Sequence, residues 1–321
     1  MHPKLTVGVP HLDRTEFLGK TIECLLGQIS PCRILVADQG MTDATAELMH
    51  QYKDNPLVSH RRTDATCLWE NWREAAEMAM DDGAEYFAWC QDDDIVHERY
   101  SERITIAFDT FADAQTWTAI LAISEDEDLA MWFTGVGPLV PMNLLRNRPM
   151  VIDGDMLTPF AYVTSWALSP AVAFRCGQDF RDAMAEVPEH CDLFTERTIL
   201  AAMGRKGKVV CDPVRIGYWR HHGKNESYRQ NLVEKPEQQK SFLKWLDGMM
   251  DDLPNWADQF GLWAEIMPNA HLRGHAAGLD GMDSRYVHAV KDVLTRSMRE
   301  EVLYDDLRRQ LNPQPEDPVF V

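Results

Sequence analysis

Three consecutive carboxylates, Asp92, Asp93 and Asp94, close the apolar and aromatic run Tyr86-Phe87-Ala88-Trp89-Cys90. Adjacent acids repel one another, and burying them unpaired costs several kcal/mol or displaces their acidity. A hard divalent cation relieves both problems. Mg²⁺ or Mn²⁺ takes carboxylate oxygens and keeps open positions for phosphate oxygens. The other reading is a solvated acidic turn. A second acid, Asp38, ends a second apolar run, Arg33 to Ala37. In open α/β sheets the carboxyl ends of the strands are where ligands sit, so two runs ending in aspartate favour a binding edge.

The segments around these acids alternate in type. Leu5 to Pro10 reads as a buried strand, with His11 to Asp13 a loop and Thr15 a helix N-cap. Leu18, Ile22 and Leu25 then form one stripe of a helix. After the strand ending at Asp38, the turn Gln39-Gly40-Met41-Thr42-Asp43 leads into a helix that Thr42 can cap. A short strand over Leu57 to His60 follows, then a helix marked by Leu68, Trp72, Ala75 and Ala79. The acid-ended run comes next. Strands alternating with helices imply a parallel sheet with right-handed crossovers. Further on, the pattern predicts a helix over 101–115, strands over 116–123 and 166–174, a helix over 191–203, and two short strands over 208–211 and 216–220.

Composition narrows the partners. Across 321 residues, 32 Lys and Arg face 51 Asp and Glu, a formal charge of -19 that disfavours nucleic acid as a partner. The seven cysteines are scattered and contain no C-x-x-C pair, which suits a reducing compartment. The amino terminus lacks a signal-peptide core and no apolar run is long enough to span a bilayer. The expectation is a cytoplasmic protein, with peripheral membrane association still open.

In their order and spacing, these residues resemble family 2 glycosyltransferases, which have the GT-A fold. Val7-Gly8-Val9-Pro10-His11-Leu12-Asp13-Arg14 looks like that family's opening strand and loop. Asp38-Gln39-Gly40-Met41-Thr42-Asp43 is similar to its D-D-G-S-T-D turn, departing at Gln39 and Met41. Asp92-Asp93-Asp94 resembles its D-x-D signature, and Trp219-Arg220-His221-His222 a late Tyr-Arg-x-His segment. The likeness implies a GT-A domain over 1–230, with 1–100 the nucleotide-binding half and 101–230 the acceptor half. A helical extension would occupy 231–321.

The resemblance also implies roles. Pro10, Leu12, Asp13, Asp38, Asp92 and Asp93 would hold the nucleotide, Asp38 through the N3–H of uracil. Asp94, Asp92 and His222 would hold Mn²⁺ or Mg²⁺, and Arg220 would meet phosphate. Asp192, with Glu189 second, would be the base of an inverting transfer from a UDP-sugar to a carbohydrate acceptor. The family's usual Glu-Asp pair is absent here, since His190 follows Glu189. Two other readings stand beside this one. Asp92-Asp93-Asp94-Ile95-Val96 also satisfies the D-x-D-x-[T/V] loop of haloacid-dehalogenase phosphatases. A degenerate transferase acting as a binding protein is the other.

Overall fold

The computed structural model describes residues 2–124, 131–136, 149–156, 158, 169–188, 195–220, 235–252, 283–285, 287–293 and 295–296. The chain divides into two compact units, Met1–Trp245 and Leu246–Val321. The first opens with β1 (Leu5–His11), α1 (Thr15–Leu26), β2 (Arg33–Asp38), α2 (Asp43–His50), β3 (Val58–Arg62), α3 (Leu68–Asp81) and β4 (Tyr86–Trp89). It continues through β5 (Ile95–Val96), α4 (Tyr100–Thr110), β6 (Ala114–Ser124), β7 (Met131–Val136), β8 (Met150–Asp153) and β9 (Val172–Arg175). Then come α5 (Gln178–Ala185), α6 (Thr195–Gly204), β10 (Lys208–Arg220) and α7 (Lys235–Asp252).

One mixed sheet runs in the order β3-β2-β1-β4-β9-β6-β10-β5, with β7 on β6 and β8 on β10. The first four strands are parallel, as the β/α alternation requires. Beyond β4 the sheet is mixed: β9 runs antiparallel to both β4 and β6, while β6 and β10 are parallel. The chain moves outward from β1 to β2 and β3, then returns to place β4 on the other side of β1. That reversal opens a crevice at the carboxyl ends of β1 and β4.

Side chains alternate across the sheet, as strand geometry dictates. Leu5, Val7 and Val9 of β1 join Leu18, Ile22 and Leu25 of α1 and Ile104 and Phe108 of α4 in one buried layer. Fully burying each such side chain contributes roughly 1.5–3 kcal/mol. On the opposite face Gly8 lies against Phe87, whose ring carbon is 2.6 Å from where a Cβ would stand, so no side chain fits there. Phe87, Trp89, Phe174 and Phe180 pack edge-to-face and stacked beside it, and Trp72 of α3 stacks on Trp89 at 5.1 Å.

The element ends differ from the sequence reading in several places, among them the helix expected over 101–115, which ends at Thr110, and the strand expected over 166–174, which forms at Val172–Arg175. Thr15 is not a cap: Arg14 precedes the helix without a capping side chain, and the Thr15 hydroxyl reaches Thr45 Oγ1 on α2 at 3.0 Å. His11 is the last residue of β1 rather than a loop residue, held in register with Asp38. The two strands expected at 208–211 and 216–220 are one, β10, whose pairing with β6 slips between Cys211 and Arg215 and again before Gly217. Thr42 does cap α2, its hydroxyl accepting from Thr45 N at 3.1 Å. In the second unit Val287, Val290 and Val293 are buried, and Arg285 donates to Asp247 O and Asp251 Oδ1 at 2.7 and 2.9 Å.

Candidate active site

The acidic triplet is a tight turn at the mouth of the β1/β4 crevice. Asp94 N donates to Gln91 O at 3.1 Å, which folds the chain back after β4. The Thr21 hydroxyl, from the buried face of α1, meets the carbonyls of Asp92 and Asp94 at 3.0 and 2.9 Å and pins the turn from below. β5 then pairs with β10 at Gly217 and Tyr218, which brings the end of β10 alongside. As a result Arg220 N donates to Asp94 Oδ1 at 3.2 Å.

The three carboxylates are buried and differ in what they face. Asp92 Oδ2 bonds His11 Nδ1 at 2.7 Å, and its Oδ1 is ion-paired to Arg14 Nη2 without hydrogen-bond geometry. Asp93 Oδ2 accepts from Arg14 Nη1 at 2.5 Å. One guanidinium therefore serves two acids. Asp94 has only the Arg220 backbone N–H on Oδ1, and its Oδ2 has no hydrogen-bond partner among the described residues. Burial and the neighbouring Asp93 charge push the Asp94 carboxyl well above the usual range, against the Arg220 N–H and Arg14. An orphaned buried oxygen costs about 1–3 kcal/mol, more for a charged group. A bound cation removes that cost.

On the other side of β1, Asp38 is wholly covered. Its Oδ1 accepts from Met41 N at 2.8 Å and its Oδ2 from His60 Nε2 at 2.9 Å. Burial pushes its pKa up, but the hydrogen bonds from His60 and Met41 outweigh that and hold it below the usual carboxylate range. The two loops above it cross at close quarters. A Cβ on Gly40 would lie 1.7 Å from Leu12 O, so only glycine passes there. Gln39 N also donates to His11 O at 2.9 Å, tying the β2 loop to the end of β1. His11 thus stands between the two acidic positions, bonded to Asp92 and in register with Asp38.

The family model described as Glycosyl transferase family 2 matches residues 6–165, which holds β1 through β4, the Asp38 turn and the acidic triplet. This chain belongs to glycosyl transferase family 2. A search of curated proteins by sequence found no match. Among solved structures the transferase is similar to S. aureus TarS residues 1–349 in complex with UDP-GlcNAc, at 13% identity over 95% of this chain and 92% of that one, with a TM-score of 0.54. The same S. aureus protein in complex with UDP gives a TM-score of 0.52 at 12% identity, with the same coverage of 95% and 92%. At that identity the likeness is one of fold, and the fold is GT-A.

Within the transferase the predicted residues divide into two groups. Pro10, Leu12, Asp13, Asp38, Asp92, Asp93, Asp94 and Arg220 lie on the carboxyl edge or the loops just above it. Arg220 also stacks its guanidinium over the Phe17 ring at 5.0 Å, so its side chain packs beside α1. Glu189, Asp192 and His222 fall outside the described residues. The oxygens of Asp92, an expected metal ligand, face His11 and Arg14. The same coverage disfavours the phosphatase reading, which needs an open aspartate nucleophile at that position. Among the described residues no three His, Cys, Asp or Glu side chains converge on one point.

Sequence reasoning missed Glu196. It lies in the first turn of α6, and its Oε1 accepts from Ser169 N at 2.5 Å. The Ser169 hydroxyl in turn donates to Trp89 O at 2.7 Å, at the end of β4 three residues before the acidic turn. Burial lifts the Glu196 carboxyl to about 7, opposed by the Ser169 N–H and by Arg197. Such a group exchanges a proton near neutrality. The signal was a first-turn acid, hidden because the helix was expected to begin at Cys191. His11, Arg14 and His60 were also missed as partners of the acids.

Proposed function

We propose that this glycosyltransferase moves a sugar from a UDP-sugar to a hydroxyl of a carbohydrate acceptor, with inversion and with the help of Mn²⁺ or Mg²⁺. The observation that carries the reading is the unpartnered, buried Oδ2 of Asp94 at the crevice between β1 and β4, with Asp38 on the far side of β1. The UDP and UDP-GlcNAc complexes of the TarS structures support the same donor class.

Asp94 would hold the divalent ion, which would supply positive charge against the diphosphate. His222 is the proposed additional ligand and Arg220 the proposed phosphate contact. Arg14 keeps Asp92 and Asp93 paired, so the charge left open in the turn is that of Asp94. Leu12 and Asp13 line the mouth where the nucleoside enters. In the transfer the acceptor oxygen bonds the anomeric carbon as the carbon–oxygen bond to the diphosphate breaks, and the diphosphate leaves with the electron pair. The acceptor's proton passes to a carboxylate at the start of α6. Asp192 and Glu189 are the sequence candidates, and Glu196 is the one whose described surroundings favour a proton near pH 7.

Calorimetric titration with UDP tests the reading. Binding is expected with Mn²⁺ present, lost in EDTA and lost in Asp94→Ala. Equal affinity with and without the ion, or no UDP binding at all, overturns it.

A further inference from the structure

Arg220 N meets Asp94 only because the last residues of β10 arrive in one phase, and that phase is set further back along the strand. Between the Cys211–Thr118 pair and the Arg220–Ser124 pair, β10 advances nine residues while β6 advances six. The surplus is taken up at two slips, one between Cys211 and Arg215 and one between Arg215 and Gly217. A strand with spare residues can place them elsewhere, and a shift of one residue turns every later side chain to the other face. Gly217 shows what such a shift would meet. A Cβ there would lie 2.9 Å from Ile95 O and 3.3 Å from Pro170 Cγ, so neither Ile216 nor Tyr218 fits in its place.

Asp212 lies inside the first slip and is buried. Its Oδ2 accepts from Arg103 Nε at 2.9 Å and its Oδ1 from Arg103 Nη2 at 2.5 Å. Arg103 belongs to α4, whose Tyr100, Ile104 and Phe108 are held in the core, so the guanidinium starts from a fixed element. Two bonds from one planar fork fix direction as well as distance. Stability alone does not call for such a pair, since well-packed apolar residues usually serve a buried position as well. Beyond the clamp, His97 N donates to Ile216 O at 2.7 Å, β5 pairs at Gly217 and Tyr218, and Arg220 N reaches Asp94 Oδ1. We propose that Asp212, clamped by Arg103, is a positioning residue for the transfer: it fixes where β10 takes up its surplus, and thereby which backbone N–H stands against Asp94. The consequence for the ion rests on the reading of Asp94 given above, whereas the consequence for the Arg220 N–H does not.

The test uses the full chain. In the ¹⁵N spectrum of metal-free Asp212→Asn, which keeps the size of the side chain and loses its charge, the Arg220 amide should leave its wild-type position. Arg103→Met, which keeps the stem and loses the fork, should move it too, and the double variant should move it no further than the larger single effect. In UDP titrations the Mn²⁺ needed for half-maximal binding should rise about tenfold or more in each variant, the usual cost of losing a group that orients a metal ligand from behind. Phe108→Leu is the control, since Phe108 stacks on Tyr86 at 4.8 Å and does not touch the clamp. Its urea midpoint should fall while the Arg220 amide and the Mn²⁺ requirement stay as in wild type. The same pattern in Asp212→Asn, a lower midpoint with an unmoved Arg220 amide, would make the pair one of stability alone and overturns the proposal. Should Arg103→Met fail to fold, Arg103→Lys, which keeps the charge without the fork, replaces it, and an unmoved amide there overturns the proposal equally. If wild type binds UDP as well without Mn²⁺, the ion reading falls and the Arg220 amide decides the positioning role by itself.

Discussion

Replacing Glu196 by Gln separates charge from shape at one position. Gln keeps an Oε1 that can accept from Ser169 N, so the 2.5 Å contact and the link through Ser169 to Trp89 survive. Only the ionisation is removed. In the folded protein burial lifts the carboxyl from 4.5 to about 7. At about 1.4 kcal/mol for each tenfold change in acid strength, full desolvation would be about 3 kcal/mol. Glu196 keeps part of its surface in contact with solvent, so roughly half of that, about 1.5 kcal/mol, is the reasonable expectation. The sign follows from the direction. A group whose folded pKa is raised binds its proton more tightly in the folded state. Its contribution is complete below about pH 4.5 and is lost as pH climbs through about 7. Urea unfolding should therefore give wild type and Glu196→Gln the same stability at pH 4.5, with the variant about 1.5 kcal/mol more stable at pH 8. Turnover should move the other way, falling about 100-fold or more if this carboxylate takes the acceptor's proton. A gap of the same size at both pH values, or a variant less stable at pH 8, refutes the reasoning.

Asp94→Asn should raise the melting temperature of the EDTA-treated protein by about 2–4 °C, since it replaces an acid whose ionisation burial opposes with a neutral group, while abolishing the Mn²⁺-dependent part of UDP binding; scanning calorimetry and titration read the two effects. Gly40→Ala should cost about 1–3 kcal/mol and weaken UDP binding, because a methyl group cannot stand 1.7 Å from Leu12 O without parting the two loops; a urea midpoint equal to wild type would contradict this. Thr21→Val should cost about 1–3 kcal/mol and raise the Mn²⁺ concentration needed for half-maximal activity, because the carbonyls of Asp92 and Asp94 lose the one hydroxyl proton they share.

The sequence displayed what depends on neighbours along the chain. Apolar runs ending in Asp38 and Asp92 showed the strands and their loaded edge, and Thr42 showed the start of α2 because its hydroxyl serves its own backbone. Thr15 misled because its hydroxyl is used across to Thr45 on another helix. The same distinction holds in the site. An acid at a strand end is visible in one dimension. That Arg14 neutralises two of the three acids is not, because the guanidinium arrives from the β1–α1 loop. Glu196 and His60 owe their character to Ser169 and Asp38, which pattern alone does not bring to them. The direction of β9 was equally hidden, since four residues carry no mark of the strands they lie between.

That short strand decides where the protein can be cut. β9 (Val172–Arg175) seals the gap between β4 and β6, yet the family match ends at residue 165 and leaves it out. A fragment trimmed to the matched segment would carry two raw sheet margins, with Phe87 and Trp117 uncovered and ready to pair with other chains. The stretch recognisable as a module is thus not a unit that can be inherited, swapped or expressed by itself. A fragment has to run through β10 for β4 and β6 to keep their partners.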